Sequence, residues 1–228
     1  MSWIARVAFC SSAALCVAAC SNNPPQPDWK LNAQSALERA AKAYLEGRGA
    51  VAEREYANAR AEIARTGRFD LLARAELARC AALVASLQFE PCTAFEALRA
   101  DAPPAERAYA AYLSAAATPA DVALLPEPHR VAATASASEA ATLSSLQAMA
   151  DPLARQIAAG VLLQAGRANP GVVALAIDNA SAQGWRRPLL AWLNVQVQRA
   201  QAAGDAAALE ALRRRIALVE GTGGATRP

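Results

Sequence analysis

The sequence predicts an all-α fold, and three observations support that prediction. Alanine, the residue with the highest helix propensity, occupies 63 of the 228 positions, and aromatic residues make up only 5% of the chain. Apolar residues recur with the period of a helix rather than with the alternation of a strand. Glycine, proline and capping residues interrupt these periodic segments at short intervals. We therefore expect many short helices, each with one apolar face that needs a neighbour.

The first four helices follow from the positions of glycine and proline. Gly47 and Gly49 separate the first two, Gly67 ends the second, and Pro91 ends the third. The second and third helices carry one-sided apolar stripes, which are Ala52, Tyr56, Ala59 and Ile63, and then Ala73, Leu77, Cys80, Val84 and Leu87. The predicted ranges are 32–46, 50–65, 69–88 and 93–100.

Three later segments begin at a capping residue that precedes proline, an arrangement that suits the first turn of a helix. These pairs are Thr118–Pro119, Asp151–Pro152 and Asn169–Pro170. Gly204 and Asp205 separate the last two helices, and the final stripe is Leu209, Leu212, Ile216 and Val219. The predicted ranges are 104–117, 138–150, 152–166, 170–183, 188–203 and 206–220, with a helical turn at 119–125.

Residues 32–220 are expected to form the all-helical domain, and residues 221–228 a flexible tail. The stretch 126–138 contains two prolines followed by Ala, Thr and Ser. We predict a loop there, which would subdivide the domain into an N-terminal and a C-terminal half.

Short antiparallel helix pairs with one-sided stripes are the units of α-solenoids. The segment from Trp192 to Val219, with small residues and a Gly204–Asp205 turn, resembles a tetratricopeptide hairpin, and so does the segment from Leu37 to Ile63. No period of about 34 residues carries the full pattern of that family. The resemblance implies a tetratricopeptide-like α-solenoid of antiparallel helix pairs, and an irregular helical bundle is the alternative.

Residues 1–19 have the layout of a secretory signal peptide. Arg6 precedes an apolar run from Val7 to Val17, which is roughly half of the length that spans a bilayer. Val17, Ala18, Ala19 and Cys20 then resemble the lipobox of bacterial lipoproteins, in which an aliphatic and two small residues precede cysteine. The alternatives are an ordinary signal peptide that happens to end in cysteine, or a buried apolar helix.

The lipobox resemblance implies that the chain is cut before Cys20 and that Cys20 carries diacylglycerol on its sulfur and an acyl chain on its new amino group. Residues 20–31 are then the lipidated cysteine and a proline- and asparagine-rich stalk. Enterobacterial lipoproteins kept at the inner membrane have aspartate after the cysteine, and this chain has Ser21. The resemblance therefore implies a lipid anchor on the periplasmic face of the outer membrane, with the inner membrane as the alternative.

The charge balance and the cysteine content bear on the class of partner and on a disulfide. Without residues 1–19, 22 basic and 20 acidic side chains remain, a near balance that argues against a nucleic-acid partner. Cys80 and Cys92 are then the only cysteines besides Cys20, and an oxidising compartment favours a disulfide between them. The alternative is that Cys80 is a buried apolar residue and Cys92 a free thiol.

The sequence carries few groups suited to catalysis, and we predict no catalytic residue, metal or cofactor besides the lipid. His129 is the only histidine, so a histidine pair is excluded within this sequence. We expect His129 in a surface loop, where it would not serve a Ser-His-Asp triad. Glutamates at 38, 62 and 210 precede basic residues by three or four positions, which is typical of solvated ion pairs on helices.

Trp185, Arg186 and Arg187 precede Pro188 at a helix start and are the candidate partner-binding residues, although such groups more often seat a helix on its neighbour. We expect Arg213–Arg215 to be a solvated face. The predicted function is a non-catalytic helical scaffold or assembly factor that binds an envelope protein and is held at the outer membrane by its lipid. The alternative is a periplasmic hydrolase that acts on peptidoglycan, and two inward, unpaired carboxylates in a cleft would favour it.

Overall fold

The computed structural model describes residues 26–134 and 138–221, and all regular structure in these ranges is helical. The predicted all-α class is confirmed. The helices are α1 (Asp28–Leu45), α2 (Gly49–Ala64), α3 (Phe69–Ala85), α4 (Thr93–Glu96), α5 (Pro104–Leu113), α6 (Pro119–Val122), α7 (Glu127–Ala133), α8 (Glu139–Ala148), α9 (Pro152–Gln164), α10 (Pro170–Ala182), α11 (Arg186–Ala203) and α12 (Ala206–Gly221). No described helix has both the length and the apolar character that a bilayer crossing requires.

The three predicted helix starts at capping residues before proline are confirmed. Thr118 forms a capping box with Asp121 at the start of α6. Asp151 accepts hydrogen bonds from two backbone N–H groups of α9, and Asn169 accepts one from α10. Proline after each cap removes no backbone hydrogen bond, because the first N–H groups of a helix have no partner within the helix.

The loop predicted at 126–138 is wrong for residues 127–133, which form α7. Its two prolines stand at the cap, Pro126, and within the first turn, Pro128. Proline at these positions starts a helix rather than interrupting one.

α3 and α5 end earlier than predicted, and both end in the same way. Leu87 and Ala115 adopt positive φ angles of 59° and 56° after the last turn. The following residues, Gln88 and Ala116, donate backbone hydrogen bonds to the carbonyls of Leu83 and Ala111. This closing turn usually contains glycine, so leucine and alanine gave no sequence signal for it.

α3 lies at the centre of the molecule and packs against α1, α2, α4, α5 and α9. α9 packs so tightly against α3 that a Cβ atom added at Gly160 would collide with the Val84 carbonyl oxygen. Glycine therefore lets the two helix backbones approach.

α9 to α12 pack on one another in chain order, but other contacts join helices that are far apart in sequence. α3 packs on α9, and α11 packs on α1. Repeats of a linear solenoid contact only their neighbours, so these contacts favour the alternative, an irregular bundle. The tetratricopeptide-like arrangement is not confirmed.

Candidate binding groove

An apolar groove opens between α1, α3, α5 and the segment that joins α6 to α7. We call it the α3 groove, and its volume is about 630 Å³. That volume lies within the range of roughly 300–1,000 Å³ usual for ligand sites. The residues that line it are Leu37, Glu38, Ala41, Arg74, Leu77, Ala78, Ala81, Ala105, Glu106, Tyr109, Leu124, Leu125, Pro126, Leu153 and Ile157.

α3 forms the floor of the groove with residues three, four and seven positions apart, namely Arg74, Leu77, Ala78 and Ala81. α1 and α5 both pack on α3 and contribute one wall each. Ala78 is exposed, and Leu124 at the groove edge is 46% exposed. Of the other floor residues, Arg74 is exposed, whereas Leu77 and Ala81 are only 2% and 4% exposed. A narrow strip of α3 thus reaches the surface between the two flanking helices.

Three charged side chains line this groove, and one carboxylate is neutralised. Glu106 is buried and accepts two hydrogen bonds from the exposed Arg74, at 3.0 Å from Nε and 2.6 Å from Nη2. Glu38 is exposed and accepts a hydrogen bond from the Gln34 amide at 3.0 Å. The groove therefore does not present the two inward, unpaired carboxylates that a two-acid hydrolase requires.

An aromatic cluster lies behind the groove wall that α5 forms. The Tyr112 hydroxyl lies 3.0 Å from Nδ1 of His129, and the Tyr109 ring lies 5.7 Å from the His129 ring. Burial raises the pKa of both tyrosine hydroxyls. Burial also lowers the pKa of His129 to about 4, against an opposing effect of the Asp151 carboxylate. The cluster is therefore uncharged at neutral pH.

The expectation that His129 lies in a surface loop is wrong. The side chain is 5% exposed and belongs to α7. Pro126 and Pro128 led to the prediction of a loop, so the face of α7 on which His129 lies could not be predicted. Its hydrogen bond to Tyr112 places it in the core.

Trp185, Arg186 and Arg187 lie where α11 begins, and the structure places both guanidinium groups in contacts within the molecule. Arg186 donates from Nε to the Val219 carbonyl at 3.1 Å. Arg187 donates from Nε to the Tyr44 carbonyl at 3.0 Å and lies over the Tyr44 ring at 4.4 Å. All three residues are half-buried. A role in partner binding stays a prediction.

The disulfide predicted between Cys80 and Cys92 is present, with the two Cα atoms 5.9 Å apart. Cys80 is buried on α3, and Cys92 precedes α4. The bond joins the central helix to the residue that precedes α4. Neither cysteine lines the α3 groove.

Two of the three ion pairs predicted on helices are present. Glu62 pairs with Arg65 at 3.0 Å, and Glu210 pairs with Arg214 at 2.5 Å. Glu38 does not pair with Lys42, whose ammonium group lies 4.0 Å from Glu46 instead. Arg213, Arg214 and Arg215 are exposed, as predicted.

The lipobox-like residues Val17, Ala18, Ala19 and Cys20 lie outside the described residues. Within the described residues, no group of three or more His, Cys, Asp or Glu side chains is arranged to hold a metal ion.

Sequence reasoning did not identify the α3 groove. The available signal was the composition of α3, which has alanine or leucine on nearly every side. A helix that is apolar on all sides is expected at the centre of a fold, but its sequence does not indicate which part of its surface stays exposed.

No protein-family model, curated protein or solved structure matches this chain.

Proposed function

We propose that this chain is a lipid-anchored periplasmic protein of the outer membrane that binds an apolar helix of another envelope protein in the α3 groove. It acts as a non-catalytic scaffold or assembly factor. The observation that carries this proposal is the apolar groove between α1, α3 and α5, in which Ala78 and Leu124 are exposed.

The dimensions and chemistry of the groove support a helix as the bound element. The floor residues from Arg74 to Ala81 extend over about 10 Å of helical rise, which corresponds to two turns. Ala41, Ala78 and Ala105 on three different helices permit close approach of another backbone. A helix with residues at i, i+3, i+4 and i+7 on one apolar face has the matching form.

The charges of the groove favour a partner helix with a basic flank. Arg74 neutralises Glu106, and the described residues place no cation beside Glu38, so the lining carries one uncompensated negative charge. A lysine or arginine beside the partner's apolar stripe would complement it.

The proposed location rests on the lipobox-like sequence before Cys20 and on the paired cysteines of the domain. A disulfide is typical of proteins in oxidising compartments. Two or three acyl chains hold a protein essentially permanently at a membrane, whereas one does not.

The anchor is tested by comparing the wild type with the Cys20→Ser variant in cells that receive labelled palmitate. The wild type is expected to incorporate label and to be processed to the shorter form, and the variant to do neither. Equal labelling of the two proteins would contradict lipid attachment at Cys20.

The groove is tested by site-specific photo-crosslinking in the full-length, membrane-attached protein. A photoreactive residue at Ala78, which lines the groove, is expected to give a defined adduct with one envelope protein. The same residue at Ala61, which is exposed on α2 and lines neither groove, is the matched control and is expected to give none. Identical adducts at both positions would contradict binding in the groove. An adduct with a lipid would show that a lipid, and not a protein, occupies the groove.

Filling the groove gives a second measurement. Ala78→Trp is expected to reduce recovery of the crosslinked partner by about tenfold, because an indole occupies the space of the bound helix. Ala61→Trp is expected to leave recovery unchanged. Circular dichroism of both variants establishes that they fold.

The hydrolase alternative predicts that one groove carboxylate is essential. We expect Glu38→Gln to weaken partner recovery and cellular function together, because it removes the charge that the partner's basic flank would meet. The exposed controls Glu90→Gln and Glu127→Gln are expected to leave both intact. The hydrolase would be favoured if any one of these changes abolished function while the crosslinked partner was still recovered.

A further inference from the structure

A second groove lies at the opposite end of the chain and shares no lining residue with the α3 groove. We call it the C-terminal groove, and its volume is about 550 Å³. α11 forms its floor, with α10 on one side and α12 on the other. The residues that line it are Pro170, Val173, Gln196, Arg199, Ala200, Ala203, Asp205, Ala208, Ala211, Leu212 and Arg215.

The charge of this groove is opposite to that of the α3 groove. Arg199 and Arg215 line it, and neither forms an ion pair with any described residue. The only lining carboxylate, Asp205, already accepts the Ala208 backbone N–H at 2.9 Å, where it caps α12. One net positive charge therefore remains on the lining.

Arg199 also has an unused donor. Its Nη2 donates to the Ala168 carbonyl, whereas its Nη1 is buried and has no hydrogen-bond partner within the described residues. A buried donor without an acceptor is less favourable than one that is paired. A carboxylate in the groove would be attracted by the positive charge of Arg199 and would bind the exposed guanidinium of Arg215.

The rest of the lining is apolar and made of small side chains. Ala200 and Ala203 of α11 face Ala208 and Ala211 of α12 across the groove. Their short side chains leave space for an apolar group of a ligand. A carboxylate next to an apolar side chain is a common feature of acidic peptide segments.

We propose that the C-terminal groove binds a short acidic segment of a partner protein. Arg199 and Arg215 hold a carboxylate of that segment, and a neighbouring apolar side chain lies on the alanine surface between α11 and α12. The site is independent of the α3 groove and of the lipid anchor.

A concave peptide site explains these features better than a membrane or nucleic-acid surface does. Those surfaces need many exposed basic groups, and only two arginines line this groove. The groove is also flanked by helices on both sides, which suits a narrow chain.

The test measures fluorescence anisotropy of a short labelled peptide that alternates Glu and Leu, with the full-length protein held in detergent. A peptide with Gln in place of Glu is the matched probe. The Glu peptide is expected to bind, and the Gln peptide to bind at least about tenfold more weakly.

Variants on one helix separate a specific site from general attraction. Arg215→Gln is expected to weaken binding of the Glu peptide by about tenfold. Arg213→Gln removes the same charge two positions away, outside the groove, and is expected to change affinity by less than about twofold. Ala211→Trp fills the groove and is expected to abolish binding, whereas Ala217→Trp on the same helix is not. Equal effects of the two arginine variants would overturn the proposal.

Two further outcomes would also overturn it. If phosphatidylglycerol vesicles bound in an Arg215-dependent way while the peptide did not bind, the groove would contact a membrane. If sedimentation showed a dimer that Arg215→Gln dissociates, a second copy of the chain would occupy the groove.

Discussion

At the residue scale, Gly160 sets how closely α3 and α9 approach. We expect Gly160→Ala to lower the free energy of unfolding by about 1–3 kcal/mol, because the new methyl group meets the Val84 carbonyl oxygen and the backbones must separate. Urea denaturation measures the change.

The control for this prediction is Gly221→Ala at the end of α12, where an added Cβ meets no atom within 4 Å. It is expected to change stability by less than about 0.5 kcal/mol. A similar effect of both substitutions would show that the α3–α9 contact is looser than described.

His129 gives the molecule a pH dependence. An unfolded histidine has a pKa near 6.5, and burial lowers the pKa of His129 to about 4. Between these values the unfolded chain binds the proton and the folded protein does not, so acid favours unfolding. The free energy of unfolding is expected to be highest above pH 6.5 and to fall by up to about 3 kcal/mol as the pH decreases toward 4.

Urea denaturation across this pH range tests the effect, with His129→Gln as the comparison. The variant is expected to be less stable at neutral pH, because it loses ring packing against Tyr109 and Tyr112. Its stability should also fall less steeply with acid. Parallel pH profiles of the two proteins would assign the dependence to carboxylates instead.

At the scale of helices, the disulfide fixes the start of α4 to α3. Its cysteines are 12 positions apart, and a loop of that length contributes up to about 3 kcal/mol in the chain-entropy model. Reduction is therefore expected to lower the free energy of unfolding by up to this amount. Denaturation with and without a thiol reductant measures it.

The double variant Cys80→Ala with Cys92→Ala is the control for reduction. It should match the reduced wild type and show no response to reductant. Alkylation and mass spectrometry of non-reduced protein verify the bond, and recovery of two alkylated thiols from protein isolated without reductant would refute it.

Helix starts were more predictable than helix ends, and the reason is physical. Thr118, Asp151 and Asn169 cap helices with side chains, so the sequence displays them. The turns that follow α3 and α5 require positive φ angles at Leu87 and Ala115, and leucine and alanine seldom adopt such angles. Stripes were reliable where a helix has neighbours: Ala52, Tyr56, Ala59 and Ile63 are all buried on α2.

At the scale of the whole molecule, Arg187 connects α11 to the end of α1. Arg187→Ala is expected to lower the free energy of unfolding by about 1–2 kcal/mol, since it removes the hydrogen bond to the Tyr44 carbonyl and the contact with the Tyr44 ring. Thermal or urea denaturation measures the loss.

Arg213→Ala is the control, because this side chain is exposed on α12. Its expected effect is within about 0.5 kcal/mol. If Arg187→Ala left stability unchanged but weakened partner recovery, Arg187 would act in binding rather than in the fold.

Tertiary arrangement and grooves were beyond the sequence because they depend on which helices meet. Stripes on α2 and α3 state that each helix needs a neighbour, but not that α3 meets α9 or that α11 meets α1. The α3 groove exists because the helices around α3 leave Ala78 exposed between α1 and α5. The C-terminal stripe shows the same point: only Leu212 of its four residues is buried, since α12 packs mainly on α11.

The contact between Arg187 and Tyr44 joins residues 143 positions apart, and this has a consequence for the order of folding. The α1–α2 hairpin is local and can form as soon as its residues are available. Its outer face gains its final neighbour only when α11 has folded. A chain that emerges from its N-terminus during synthesis would therefore hold a partly uncovered hairpin until about its last fifth, which begins with α11, has emerged.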